Sequence, residues 1–87
     1  MASISELVNE LQACKQKLEE NQASVMGASQ KAEEVATQSA ALDLNDKAAA
    51  LIAVKDRIDT LTQQYSALSQ SFDEIINSAN AIMGSGT

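Results

Sequence analysis

The sequence predicts an all-α fold: an antiparallel hairpin of two long helices with heptad packing, which completes a four-helix bundle with a partner. Three observations carry this prediction. The 87 residues include no Pro and three Gly, so most turn signals of a β-sandwich or barrel are missing. Apolar residues recur in alternating steps of three and four through both halves of the chain, as in helices that pack lengthwise. One cluster of turn-forming residues, 43–46, separates the halves.

The first predicted helix covers about residues 4–42. Ser3, followed three residues later by Glu6, matches a capping box, in which hydroxyl and carboxylate oxygens each accept from a backbone amide. From Ile4 the apolar stripe continues through almost six heptads with two polar members. Its residues predicted for the hairpin core are Leu7, Leu11, Cys14, Leu18 and Val35.

The turn is predicted at about 43–46, where either Asp43 or Asn45 caps the second helix. That helix covers about residues 47–83, and its apolar stripe has no polar interruption. Gly84 follows the last periodic residue, which predicts a C-cap there and a mobile tail over 84–87. The residues of this helix predicted for the core are Leu51, Val54, Ile58, Leu61, Tyr65, Leu68, Phe72, Ile75 and Ile82.

Further apolar residues lie beside the predicted seam. A two-helix layer of 87 residues is marginally stable by itself, so we predict that these residues bind a second partner. The alternative is that they are scattered exposed residues, which are normal on any protein surface. The predicted partner interface consists of Val8, Met26, Ile52, Ile76 and Met83.

Three residues of the first helix have alternative interpretations. Cys14 is predicted as a small buried apolar residue, and an inter-subunit disulfide is the alternative. Asn21 either specifies helix register from a buried position or is solvated where the helices splay. Gly27 costs about 1 kcal/mol relative to Ala in mid-helix, and it allows either a close approach of the partner helix or a bend, or is simply tolerated.

Composition excludes most classes of chemistry. The chain has no His and one Cys, which removes imidazole acid–base catalysis, most zinc sites and any intrachain disulfide. No Gly-rich phosphate loop is present, and the acidic doublets are interpreted as solvated faces, because adjacent helical residues point about 100° apart. We therefore predict no enzyme activity, no cofactor and no metal site.

Charge and hydropathy bound the partners. A net charge of −6 without a basic stripe disfavours nucleic acid. The longest apolar run, 48–54, is far shorter than the roughly 20 residues of a transmembrane helix. The amino terminus has no basic region followed by a long apolar segment. We therefore expect a cytoplasmic protein, or one exported without a cleavable signal peptide, whose partners are proteins.

The predicted hairpin resembles the WXG-type small secreted proteins of type VII secretion. The shared features are an acidic chain of just under a hundred residues and two long helices joined near its midpoint. The motifs of that family differ here: the turn is Asp43-Leu44-Asn45-Asp46-Lys47 without Trp, and Ser69 stands four residues after Tyr65 where the family has an acidic residue. The resemblance implies a dimer, or binding to a helical domain of a secreted effector.

Two functional hypotheses follow from the sequence. The first is a non-catalytic binding module, a WXG-like partner or targeting factor for a type VII secreted effector or toxin. The second is a homo-oligomeric coiled-coil protein with a structural or assembly role. They differ in whether the partner is another protein or a further copy of this chain.

Overall fold

Two long helices account for nearly all of the structure. The computed structural model describes residues 2–84, in which helix α1 spans Ile4–Ala41 and helix α2 spans Asn45–Gly84. The helices pack against each other, and the molecule measures 67 × 17 × 14 Å. The predicted all-α antiparallel helical hairpin is therefore confirmed.

The predicted start of α1 is also found. Ser3 has an extended backbone (φ −121°) and its hydroxyl accepts from the Glu6 backbone N–H at 3.1 Å, as an N-cap requires. At the other end, α1 stops at Ala41 and α2 begins at Asn45, so the connection lies one to two residues earlier than the sequence predicts.

The turn is built as the end of α1. Asp43 adopts a left-handed backbone with φ 60°. Its N–H donates to the Ala40 carbonyl at 3.0 Å, and the Leu44 N–H donates to the Ser39 carbonyl at 2.9 Å. These two bonds form a Schellman motif, with Asp43 in the position that Gly usually occupies. Asp43 therefore terminates α1 instead of capping α2, and Asn45 is already helical.

The carboxyl end differs from the prediction at one described residue. Gly84 is the last residue of α2 and was expected just beyond the helix. The rest of the predicted mobile tail, 85–87, lies outside the described residues.

The buried and half-buried residues repeat every seven positions in each helix. From Ile4 the repeat in α1 steps by four and then three, and from Ala48 the repeat in α2 steps by three and then four; Asp59 is half-buried in addition. We call these positions the seam. The seam consists of Ile4, Val8, Leu11, Lys15, Leu18, Gln22, Val25, Ser29, Ala32, Ala36 and Ser39 of α1 and of Ala48, Leu51, Lys55, Ile58, Thr62, Tyr65, Ser69, Phe72, Ile76 and Ala79 of α2.

The seam corrects the predicted core. Every second residue of the predicted stripes lies in the seam. The other residues of the stripes do not: in each case the seam contains the next residue along the chain, which lies about 100° further around the helix. The predicted core residues found in the seam are Leu11, Leu18, Leu51, Ile58, Tyr65 and Phe72. The predicted core residues that are instead exposed are Leu7, Cys14, Val35, Val54, Leu61, Leu68, Ile75 and Ile82.

The apolar core of the hairpin is small. Val8, Ile76 and Ala79 are buried against one another, with Ile4 and Leu11 packed beside them. The prediction that Val8 and Ile76 face a partner is therefore wrong: the same shift of one residue that exposes their neighbours turns these two side chains inward. Within residues 2–84, no side chain is less than 2% exposed, so the hairpin has little interior of its own.

Candidate interaction surface

An apolar stripe on each helix remains exposed beside the seam. Its members repeat every seven residues, and the large ones are between 39% and 71% exposed. We call the two stripes together the apolar face. The apolar face consists of Leu7, Cys14, Ala28 and Val35 of α1, with the polar Asn21 among them, of Leu42 directly after α1, and of Val54, Leu61, Leu68, Ile75 and Ile82 of α2.

Both stripes lie on the same side of the hairpin. In each helix the stripe is about 80° from the centre of the seam, in the same rotational sense. The helices run antiparallel, so a local two-fold axis perpendicular to the plane that contains them maps α1 onto α2. This axis maps the stripe of α1 onto the stripe of α2 without moving it to the other side, so both stripes lie on one side of the hairpin. From Leu7 to Leu42 the apolar face extends about 52 Å at 1.5 Å per residue, which is most of the 67 Å length of the molecule.

The opposite side carries a ladder of polar bonds between the helices. Its three α1 residues, Lys15, Gln22 and Ser29, are seven positions apart, and so are their partners on α2. We call these bonds the polar ladder. The bonds run from Lys15 Nζ to Asp73 Oδ1 at 2.5 Å, from Gln22 Nε2 to Ser66 Oγ at 2.8 Å and from Ser29 Oγ to Asp59 Oδ1 at 2.5 Å.

The polar ladder explains which residues become exposed. Each α1 residue of the ladder directly follows a member of the apolar face, as Lys15 follows Cys14 and Ser29 follows Ala28. Rotating α1 by about 100° to bury its apolar stripe would move the ladder residues away from α2 and break the bonds. The ladder bonds therefore form only in the rotation that presents the apolar face to solvent.

Charges within the ladder support this arrangement. Lys55 Nζ donates to Asp59 Oδ2 at 2.7 Å, and this bond, with that from Ser29, lowers the pKa of Asp59 below its ordinary value. The hydrogen bond to Asp59 likewise raises the pKa of Lys55, and the bond to Asp73 raises that of Lys15. Lys15, Lys55 and Asp59 are therefore charged at neutral pH, and the bonds that they make are charge-assisted.

Charge is distributed unequally between the two sides. Four charged residues, Glu10, Lys17, Lys31 and Arg57, each follow a member of the apolar face by three residues, which places them at its edges, about 60° around the helix. The acidic ladder residues Asp59 and Asp73 lie on the opposite side. Three basic groups and one acidic group thus border the apolar face in a chain whose net charge is −6.

The exposed area is large for a chain of this mass. A compact monomer of 9.2 kDa exposes about 4,900 Å², whereas this chain exposes 6297 Å², about 1,400 Å² more. The radius of gyration is 19.6 Å, against about 12 Å for a compact domain of this length. A single layer of two helices accounts for both differences.

The remaining predicted interface residues do not lie together on the apolar face. Met26 lines a shallow depression on the ladder side with Ser29, Lys55 and Asp59. Ile52 and Met83 are about half exposed, and neither belongs to the seven-residue repeat of the apolar face.

The residues with alternative interpretations are resolved in part. Cys14 is a free, exposed thiol, so it is not the buried residue predicted within the hairpin. Asn21 is exposed. A Cβ added at Gly27 would meet nothing within 4 Å, so Gly27 does not allow a close approach of the partner helix.

Sequence reasoning missed the polar ladder. Local patterns do not pair Lys15 with a carboxylate 58 residues away. One signal was present near the chain termini, where Val8 and Ile76 widen the apolar stripe of each helix to three positions in seven. Such a width is typical of a helix with two neighbours in a bundle, whereas a helix with one neighbour needs two positions.

The described residues offer little for other kinds of site. Among residues 2–84, no group of three or more His, Cys, Asp or Glu side chains is arranged to hold a metal ion. Over the same residues, neither helix has a segment long and apolar enough to cross a bilayer. Comparison of the chain with family models, curated proteins and solved structures finds no match in any of the three.

Proposed function

We propose that this protein is a non-catalytic binding module that packs its apolar face against the helices of a partner and so completes a four-helix bundle. The observation that carries the proposal is the apolar face itself, with large residues such as Leu61, Leu68 and Ile75 about half exposed at intervals of seven. Isolated exposed apolar residues need no explanation, but a contiguous stripe across both helices is typical of an interface.

The arrangement of each helix supports a bundle rather than another partner geometry. Three positions in each seven-residue repeat are apolar or partly buried. One position faces the other helix of the same hairpin, one is on the apolar face, and the third lies between these two around the helix. In a four-helix bundle these positions face one neighbour, the other neighbour and the bundle centre. Leu11, Leu18 and Ile58 occupy the middle position and are half-buried in the hairpin, as expected before a second pair of helices covers them.

Within this class we propose the role of a partner or targeting factor for a secreted effector of type VII secretion. Its support is the hairpin of two long helices joined near the midpoint of the chain. The partner in that case is a helical domain encoded by a neighbouring gene.

The test combines light scattering of the protein alone with co-purification of the protein encoded by the adjacent gene. The paired substitution Leu61→Glu and Leu68→Glu places two charges on the apolar face, and we expect it to abolish any complex. Gln63→Glu with Gln70→Glu is the matched control, since it adds the same charge at the same spacing on exposed positions of the same helix. We expect the control to bind like the wild type.

Two outcomes contradict the proposal. The first is a wild-type protein that forms neither a homo-oligomer nor a complex with its neighbour at high micromolar concentration. The second is a complex that survives Leu61→Glu with Leu68→Glu while circular dichroism shows both hairpins folded.

A further inference from the structure

The two stripes of the apolar face differ in side-chain size in the middle of the molecule. The polar ladder joins residues whose numbers add to 88. An α1 residue and an α2 residue whose numbers add to 89 therefore lie at nearly the same height along the hairpin, and we call each such height a level. At the three central levels the α1 residue is small and the α2 residue is large. The pairs at these levels are Cys14 with Ile75, Asn21 with Leu68 and Ala28 with Leu61.

From this difference we propose that the apolar face binds a second copy of this chain, face to face, with both turns at the same end of the bundle. The inference rests on one part of the proposed function, that the apolar face packs against the helices of a partner, and it names a second copy as that partner in place of a secreted effector. In this arrangement a two-fold axis runs parallel to the helices. Helix α2 of each copy then covers α1 of the other copy.

The two-fold axis makes the apolar face complementary to itself. Rotation about the long axis keeps every residue at its level and exchanges the two helices, so Leu61 of one copy lies over Ala28 of the other, and Leu68 lies over Asn21. At the three central levels, each contact between copies pairs a large residue with a small one. An isologous interface requires this kind of self-complementarity, and neighbouring helices remain antiparallel throughout.

The opposite orientation, with the turns at opposite ends, fits less well. It places Leu61 over Leu68 along one edge of the interface and Asn21 over Ala28 along the other edge. The distance between the two helices would then be large at one edge of the interface and small at the other. Helices in bundles pack at 8–10 Å according to the side chains between them, so unequal contacts of this kind would tilt the copies and open one edge.

The area available agrees with a dimer. Each chain exposes about 1,400 Å² more than a compact monomer of its mass, from its 6297 Å² of accessible surface. If two copies buried this excess against each other, the interface would total about 2,800 Å², which is in the range of obligate homodimers.

Charge also permits two copies to approach. The chain carries a net charge of −6, and two such chains repel each other unless the acidic groups are away from the interface. The polar ladder places Asp59 and Asp73 on the far side. The carboxylates of the ladder are therefore separated by the full thickness of the bundle.

Light scattering of the full chain tests the second copy. We expect a mass of twice 9.2 kDa at micromolar concentration. Leu61→Glu with Leu68→Glu should raise the dissociation constant at least ~100-fold, because each buried unpaired charge costs several kcal/mol. Gln63→Glu with Gln70→Glu should leave the constant unchanged. If the charged variant loses its helical signal, Leu61→Gln with Leu68→Gln provides a neutral replacement with the same expectation.

Pulsed dipolar spectroscopy tests the orientation. A single spin label at Asn45→Cys, in a chain with Cys14→Ala, marks the turn of each copy. Turns at the same end give an inter-label distance of about 20 Å for helices packed 8–10 Å apart. Turns at opposite ends give about 57 Å, the length of the 38-residue α1, and would overturn the proposed orientation.

The outcomes separate this inference from the proposed function. A wild-type mass of 9.2 kDa at all concentrations, together with a neighbour complex that requires Leu61 and Leu68, refutes the second copy and leaves the binding module intact. A monomer that also captures no neighbour refutes both. A dimer that persists in the folded charged variant shows that the copies meet through another surface and refutes the inference.

Discussion

Two adjacent isoleucines provide the sharpest test of the seam. Ile76 is 8% exposed and packs against Val8 and Ala79, whereas Ile75 is 52% exposed on the apolar face. Replacing either residue by Ala removes the same three carbon atoms from the same helix with the same change in helix propensity. The difference in unfolding free energy between the two variants therefore reports burial alone.

The expected magnitudes follow from the exposed fractions. Three carbon groups at about 0.8 kcal/mol each amount to about 2.4 kcal/mol when fully buried. Ile76→Ala should cost most of this, plus a small cavity term, giving about 2–3 kcal/mol. Ile75→Ala should cost about 1 kcal/mol in an isolated hairpin, because roughly half of its side chain is already in water.

Association has to be removed for the comparison to be clean. Both variants are made with Leu61→Glu and Leu68→Glu, and urea unfolding is followed by circular dichroism at two protein concentrations. Unchanged midpoints at the two concentrations establish that a single chain is being unfolded. Equal costs at both positions, or a larger cost for Ile75→Ala, would mean that the helices pack through the predicted stripes and that the seam is wrong.

Three further predictions concern single residues. Gly27→Ala should increase the free energy of unfolding by about 1 kcal/mol, since an added Cβ meets nothing within 4 Å; urea unfolding measures it, and destabilisation would contradict it. Asp43→Gly should stabilise by about 0.5–1 kcal/mol, because Asp43 has φ 60°; unchanged stability would show that Asp tolerates this conformation equally well. Asp59 has a lowered pKa in the folded chain, so its contribution is present above its unfolded pKa and lost as pH falls through its folded pKa. The stability difference between wild type and Asp59→Asn should therefore shrink from pH 7 to pH 2, and a constant difference would contradict it.

Local sequence signals predict the architecture well. The capping residue Ser3, the seven-residue period and the absence of Pro specify two long helices, and the 43–46 cluster specifies the connection to within two residues. These signals act over one or two turns of helix, so they are visible in the sequence around each position. The left-handed conformation of Asp43 is less visible, because Asp serves both as an N-cap and in this position.

The rotation of the helices is not specified by the same signals. The predicted stripe through Leu7 and Cys14 and the observed seam through Val8 and Lys15 have the same seven-residue period and share every other member. Apolarity favours the predicted stripe. The observed rotation is the one in which residues far apart in sequence, such as Ser29 and Asp59, are hydrogen-bonded, and such pairs are not visible in local patterns.

A polar ladder opposite an apolar face is physically sensible for the binding module that we propose. If the hairpin buried its own best apolar stripe, the outer surface would be polar and would offer a partner few anchors. The polar ladder instead fixes the rotation of the helices with charge-assisted bonds such as Lys15 to Asp73, each worth modest free energy at an exposed site. The apolar residues of the apolar face are thereby left exposed.

This division links folding to binding. Val8, Ala36, Ile76 and Ala79 are the buried apolar residues of the described chain, and such a core supports at most a marginally stable hairpin. A partner that binds only the folded hairpin stabilises it by RT ln(1 + [L]/Kd), about 2.7 kcal/mol at one hundred times Kd. The melting temperature should therefore rise with protein concentration if the partner is a second copy, and with added neighbour protein otherwise. Because the apolar face is needed for both responses, Leu61→Glu with Leu68→Glu should abolish both and leave the polar ladder to hold a hairpin of fixed, low stability.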